Sequence, residues 1–149
     1  MVSAAHTDLP VKTKWPYVTA ALLSLVGLTD AVYLTIQHLA GQSVPCSVTA
    51  GCEEVLTSPY AVVAGIPLAA LGAAAYFSAF SLTTLAAFGY RIAGILLRPL
   101  VAVMVLVSLY LFYLQAVVIR AFCQFCLLSA AITIALLIVV LVAWKKGSQ

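Results

Sequence analysis

Two cysteines separated by two residues, Cys123-Gln124-Phe125-Cys126, stand where a strongly apolar stretch begins. On one helical turn such a pair can close a strained, easily exchanged disulfide. At a helix N-terminus the first thiol faces unsatisfied backbone N–H groups and the positive end of the helix dipole, which favours its thiolate. The thiolate is both the attacking species and the better leaving group in disulfide exchange. Arg120, three residues earlier, adds positive potential if its side chain turns toward the pair. Cys126, one turn deeper, would be shielded from water and set toward the membrane interior. A second pair, Cys46 and Cys52, lies in the long connection 41–66. One pair in a mobile loop and one fixed in an apolar bundle form a relay. The loop pair can meet an outside protein, and the fixed pair can meet a membrane-embedded electron acceptor.

The elements that must hold these cysteines follow from composition. With 65% hydrophobic and only 7% charged residues among 149, the chain is an integral membrane domain and not an ordinary soluble one. The net charge of +3 does not point to nucleic acid, because the basic residues are scattered among helix ends and make no binding face. Four apolar stretches are long enough to cross a hydrocarbon core of about 30 Å at 1.5 Å per residue. They predict helices over about 17–39, 67–88, 100–119 and 123–144. In the second, Ser78, Ser81, Thr83 and Thr84 crowd the far half, where hydroxyls can bond back to their own helix. The first stretch lacks a small-residue cleavage site and is too long for a signal-peptide core, so it is expected to stay in the mature protein.

Basic residues orient the bundle. Lys12 and Lys14 before the first helix, Arg91 and Arg98 between the second and third, and Lys145 and Lys146 after the fourth share one side. Only Arg120 falls on the other, and the positive-inside rule then places both termini in the cytoplasm. All four cysteines are thereby expected on the oxidising, extracytoplasmic face. Within the loop, the tract Cys52 to Leu56 predicts a short helix with Glu53 and Glu54 in its first turn, ended by Ser58-Pro59. The apolar run Tyr60–Ile66 leads back to Pro67, a suitable first residue for the second helix. Such a loop lies as a lid on the bundle.

Other readings compete with the relay. Four cysteines could form one tetrahedral zinc site, but only one pair has two-residue spacing and oxidation would compete there, so no metal is expected. Two inert disulfides could instead staple a non-catalytic membrane scaffold. Asp30, past the midpoint of the first helix, is an intramembrane carboxylate and so a suspect for proton transfer. It reads equally well as a group kept neutral or bonded to Ser78, Ser108, Tyr110 or Thr133. On the first reading the chain could be a small proton-coupled carrier. His38, near the outer end of the same helix, is an interfacial residue or a proton-handling one. Tyr110, Tyr113 and Gln115 approach the outer end of the third helix as pocket residues or interface anchors.

Taken together, the chain resembles a bacterial member of the vitamin K epoxide reductase family, membrane oxidoreductases that support disulfide formation. The resemblance rests on Cys46 and Cys52, Ser58 six residues later, the Gly65-Ile66-Pro67 entry to the second helix, Gly72 and Tyr76 within it, and the Cys123/Cys126 pair. It implies an all-α integral membrane fold, a four-helix bundle enclosing a quinone near the outer surface under the cysteine loop and its short helix. It implies residence in the bacterial inner membrane and a reduced thioredoxin-fold (DsbA-like) protein attacking the Cys46–Cys52 disulfide, at Cys46. Cys52 would then attack Cys123, releasing Cys126 to react with the quinone, and Cys123 would regenerate the inner disulfide and leave quinol. Ser58 is similar to a lid residue that hydrogen-bonds near the quinone or steadies the loop. The chain ends at Gln149 with no fused thioredoxin-like domain, so the partner is expected to be separate. Leu68 and Ala130 stand where animal members hydrogen-bond the vitamin K head group. Their apolar character favours an ordinary respiratory quinone, ubiquinone or menaquinone, over epoxide reduction.

Overall fold

The computed structural model describes residues 11–148, and the side chains from Lys14 onward. Met1 to Pro10, the side chain of Lys12 and Gln149 lie outside the described residues. The chain forms α1 (Val11–Leu39), the short α2 (Cys52–Leu56), a 3-10 turn (Pro59–Ala61), strands β1 (Val62–Val63) and β2 (Ile66–Pro67), α3 (Leu68–Ala87), α4 (Arg91–Tyr113) continued by a π-helical turn (Leu114–Ile119), and α5 (Gln124–Gly147). Four of these helices are long and apolar enough to cross a membrane. They pack in a ring, α1 on α3, α3 on α4, α4 on α5 and α5 back on α1.

The long helices differ from their expected bounds for identifiable reasons. α4 starts at Arg91 and not near Leu100, because Pro99 sits inside it and Arg91 and Arg98 occupy its first two turns instead of a loop. α1 likewise takes Lys14 and Pro16 into its opening turns. Pro67 precedes α3 and does not begin it, because it pairs with Val62 in the two-stranded hairpin, with Val63 opposite Ile66. The run Tyr60–Ile66 is thus a turn and a hairpin that closes at Ala64-Gly65, both with positive φ. α5 runs through Lys145 and Lys146, whose cations in the last turn face the negative dipole end.

Glycines end two of the long helices in the same way. Gly41 and Gly89 take positive φ, so the next amides reach back, Gln42 N–H to the Gln37 carbonyl and Tyr90 N–H to the Leu85 carbonyl, both at 3.1 Å. The second cap makes a reversal so tight that α4 begins at Arg91.

Packing uses small residues, as membrane helices must when lipid is as apolar as leucine. Ala20, Ala31 and Ala79 are buried at the helix contacts, beside Leu97, Val101 and Leu136, which are wholly enclosed. A side chain at Gly27 would run into the Tyr76 ring, so the glycine opens the α1–α3 seam to that aromatic. The hydroxyls of α3 bond to their own helix, Ser78 to Ala74 O, Ser81 to Phe77 O, and Thr83 and Thr84 to Phe80 O. That is how a hydroxyl-rich stretch crosses a bilayer.

Candidate active site at the cysteine end of the bundle

Gly41 and the following loop turn the chain across the top of the helices. Gly51 brings it within touching distance of the segment before α5, since a Cβ there would lie 2.8 Å from Ala121 Cβ and from Phe122 N. α2 starts at once, with Glu53 and Glu54 in its first turn as expected. Cys46 and Cys52 are joined in a disulfide, their Cα atoms 6.0 Å apart. The Thr49 hydroxyl lies 3.7 Å from Cys46 Sγ and 3.9 Å from Cys52 Sγ.

The second pair is reached through an irregular connection. α4 widens into a π-helical turn, then Arg120 takes the left-handed conformation with φ 57° and the chain reverses. Cys123 caps α5 in an extended conformation, and its carbonyl accepts the Leu127 N–H at 3.0 Å. Its own amide donates to Gln115 Oε1 at 2.9 Å, a buried bond that ties the cap to the π-helical turn. The Val48 N–H donates to Gln124 Oε1 at 2.9 Å, which fastens the loop to the residue between the inner cysteines. The Arg120 side chain is exposed, and its left-handed backbone makes the reversal that leads to Cys123.

Cys123 and Cys126 are a dithiol, with Cys123 fully enclosed. The Cys123 thiol is pushed down to about 7, chiefly by a hydrogen bond from the Cys126 thiol and further by the backbone N–H groups of Cys126 and Phe125, against burial. The Cys126 thiol is thus the main group favouring the Cys123 thiolate, and the backbone N–H groups of the helix N-terminus add to it. All four cysteines fall in a single apolar cluster: Cys52, Val55, Ala121 and Cys123 at its centre, with Cys46, Leu56, Phe125 and Cys126 packed around them.

Beneath the lid lies a cavity of about 350 Å³, reaching between all four long helices. Cys126 opens onto it from α5, Ser58 and Tyr60 from the lid, Asp30 and His38 from α1, and Gln115 from the π-helical turn. Leu68 and Ala130 are among its apolar lining. At its deep end the Tyr76 hydroxyl reaches across to α5, 2.8 Å from the Ser129 carbonyl and Oγ and 3.0 Å from Thr133 Oγ1. Ser58 lines the cavity, but its hydroxyl donates to the Val55 carbonyl at 2.7 Å. Asp30 is buried, and its Oδ2 has no hydrogen-bond partner among the described residues. Of the expected hydroxyl partners, Ser78 bonds Ala74 O, Thr133 bonds Ser129 O and Tyr110 is exposed, while Ser108 lines the same cavity without a hydrogen bond to Asp30. Tyr113 is exposed as well, leaving Gln115 as the pocket residue of that group.

Residues 18–141 match the vitamin K epoxide reductase family. The chain belongs to that family. As a vitamin K epoxide reductase family member with four membrane-crossing helices, it is a multi-pass membrane thiol oxidoreductase of a generally quinone-linked group. The resemblance carried by the cysteines, Ser58 and Tyr76 thus extends to most of the chain.

Three residues act on the backbone of the site in ways their types and spacing alone do not specify. Gln115 and Gln124 position Cys123 and the loop, and Gly51 lets the loop approach. The signals were present: a glutamine inside an apolar helix, another between two cysteines, and a glycine beside a loop cysteine.

Proposed function

We propose that this protein is a quinone-dependent thiol oxidase of the bacterial inner membrane that reoxidises a separate thioredoxin-fold partner on the extracytoplasmic side. A single arrangement carries the proposal: Cys126 faces the apolar cavity, while Cys123 packs against the loop pair under the lid. One cysteine thus looks toward a lipid-soluble acceptor and the other toward the protein donor. The cavity suits a quinone head group in size and in its mostly apolar walls.

The steps balance as two successive disulfide exchanges and one two-electron reduction. The partner's thiolate attacks Cys46, breaking the Cys46–Cys52 bond and forming a mixed disulfide, which the partner's second thiol resolves to leave Cys52 free. Cys52 attacks Cys123 of the oxidised inner pair, forming a Cys52–Cys123 bridge and releasing Cys126 as thiolate. Cys46 attacks Cys52, restoring the outer disulfide and leaving Cys123 reduced. The Cys123/Cys126 pair then passes two electrons to the quinone, which takes up two protons to become quinol, and closes its own disulfide. The low Cys123 thiol makes it a good leaving group in the second exchange. Gln115 and Gln124 hold the two reacting segments in register, and Ser58 braces the end of α2 at the cavity wall.

Trapping tests the order of exchange. Cys126→Ala is expected to strand a Cys52–Cys123 bridge or a mixed disulfide with the partner, visible on non-reducing gels and by peptide mapping. Finding only free thiols would contradict the sequence of attacks. Ser58→Ala is expected to raise the quinone KM or slow quinone reduction, and unchanged kinetics would remove Ser58 from the site.

A further inference from the structure

We propose that Asp30 is the proton-transfer residue of the cavity, delivering to the quinone oxygens the protons that sulfur exchange leaves behind; this rests on the quinone oxidase reading above. The overall reaction moves two electrons and two protons from a partner dithiol to a quinone, giving a partner disulfide and a quinol. Exchange proceeds between thiolates, so the cysteine relay carries the electron pair while the protons stay at the lid. Quinol formation needs them back inside an apolar chamber, where an unprotonated oxyanion would be costly.

The titratable groups facing the cavity are Asp30 and His38 from α1, Tyr76 from α3, Cys126 from α5 and Tyr60 from the lid. From α4 and its π-helical turn come only the uncharged polar groups Ser108 and Gln115. The Tyr76 hydroxyl is committed to Ser129 and Thr133, and Tyr60 is exposed at the rim. Asp30 is the group with capacity to spare. It is 9% exposed, it lines the cavity, and its Oδ2 lacks a partner among the described residues. An intramembrane carboxyl in that state is costly to keep, and a quinone oxygen or hydroxyl in the cavity would complete its hydrogen bonding.

Two hollows adjoin one face of α1 on the way to this residue. Eight residues on, about 12 Å of helix rise, His38 borders both the cavity and a second hollow of about 180 Å³ lined by Gln37, Gln42, Ser43, Glu53 and Thr57. His38 thus stands between the polar hollow and the chamber that holds Asp30.

Full-length protein in detergent, assayed by half-reactions, tests this. The thiol half is read as loss of the disulfides on mixing with a reduced thioredoxin-fold protein or dithiothreitol. The quinone half is read as the absorbance change of a soluble ubiquinone analogue mixed with prereduced protein. Asp30→Asn is expected to slow the quinone half about 100-fold while the thiol half stays within about twofold, and Asp30→Glu to recover most of the loss. The pH profile of the quinone half should lose a limb in Asp30→Asn and show it displaced in Asp30→Glu, which a merely structural role would not produce. A quinone half in Asp30→Asn within about twofold of wild type, or equal slowing of both halves, would overturn the proposal. Prereduced wild-type protein that reduces no quinone at all would instead overturn the quinone reading on which it rests.

Discussion

The two ends of the bundle are built on opposite terms. At the end carrying Lys14, Arg98 and Lys145 the helices close on one another: Leu97, Val101 and Leu136 are fully enclosed among alanines, Ser24 and Thr83. The Arg98 guanidinium there lies 4.9 Å above the Trp144 ring, a cation–π contact that joins α4 to α5. At the cysteine end the same four helices part around a cavity, and the space is covered by a lid tied through Gly51, Gln124 and a disulfide. The lesson is a division of labour. The closed half supplies stability, and the hollow half holds reactive sulfur, an irregular backbone and a carboxyl oxygen without a partner among the described residues.

Substitutions should therefore part stability from turnover according to the end they touch. The largest effect on folding is expected from Leu97→Ala in the closed half, about 2–5 kcal/mol of stability lost. Thermal unfolding in detergent checks it, and turnover per folded molecule should be unchanged. A fall in turnover at constant folded fraction would break the comparison. At the other end Gly51→Val should hold the lid off Ala121 and Phe122 and slow disulfide exchange about 100-fold, as a misplacement of 1 Å can. Its unfolding temperature should stay close to that of wild type. Gln115→Leu sharpens the boundary, because it leaves the buried Cys123 amide without its acceptor and should cost about 1–3 kcal/mol together with a loss of exchange rate. The smallest effect is a titration. Because the Cys123 thiol is lowered to about 7, thiolate absorbance in the reduced protein should be half-developed near that pH, rise above it and fall below it, and vanish in Cys123→Ala.

The closed half was the more legible in the sequence. Apolar length revealed four crossings, and hydroxyls bonding to their own helix explain why Ser78 to Thr84 did not hide the second. Ends were read less well. Pro99 inside α4 and Pro67 before α3 look alike in sequence, and only the hairpin pairing of Pro67 and the tight cap at Gly89 separate the two cases. At the hollow end, cysteine spacing and the acidic turn of α2 pointed to the chemistry. Which polar side chain meets which backbone group was out of reach, because Gln115 finds Cys123 only through the π-helical turn and the reversal at Arg120. Asp30 was visible as a misplaced charge, but its lack of a partner depends on where every neighbouring hydroxyl points.

The most direct measurement is quinone reduction by the detergent-purified protein, with dithiothreitol and then a reduced thioredoxin-fold protein as donor, run in parallel with Cys126→Ala. Turnover by the wild type that falls to the buffer rate in the variant is the predicted result, since Cys126 is the cysteine that opens onto the cavity. Equal turnover in both, or none with ubiquinone or menaquinone analogues from protein whose disulfides resist mild reductant, would contradict the relay and leave a membrane scaffold stapled by its cysteines.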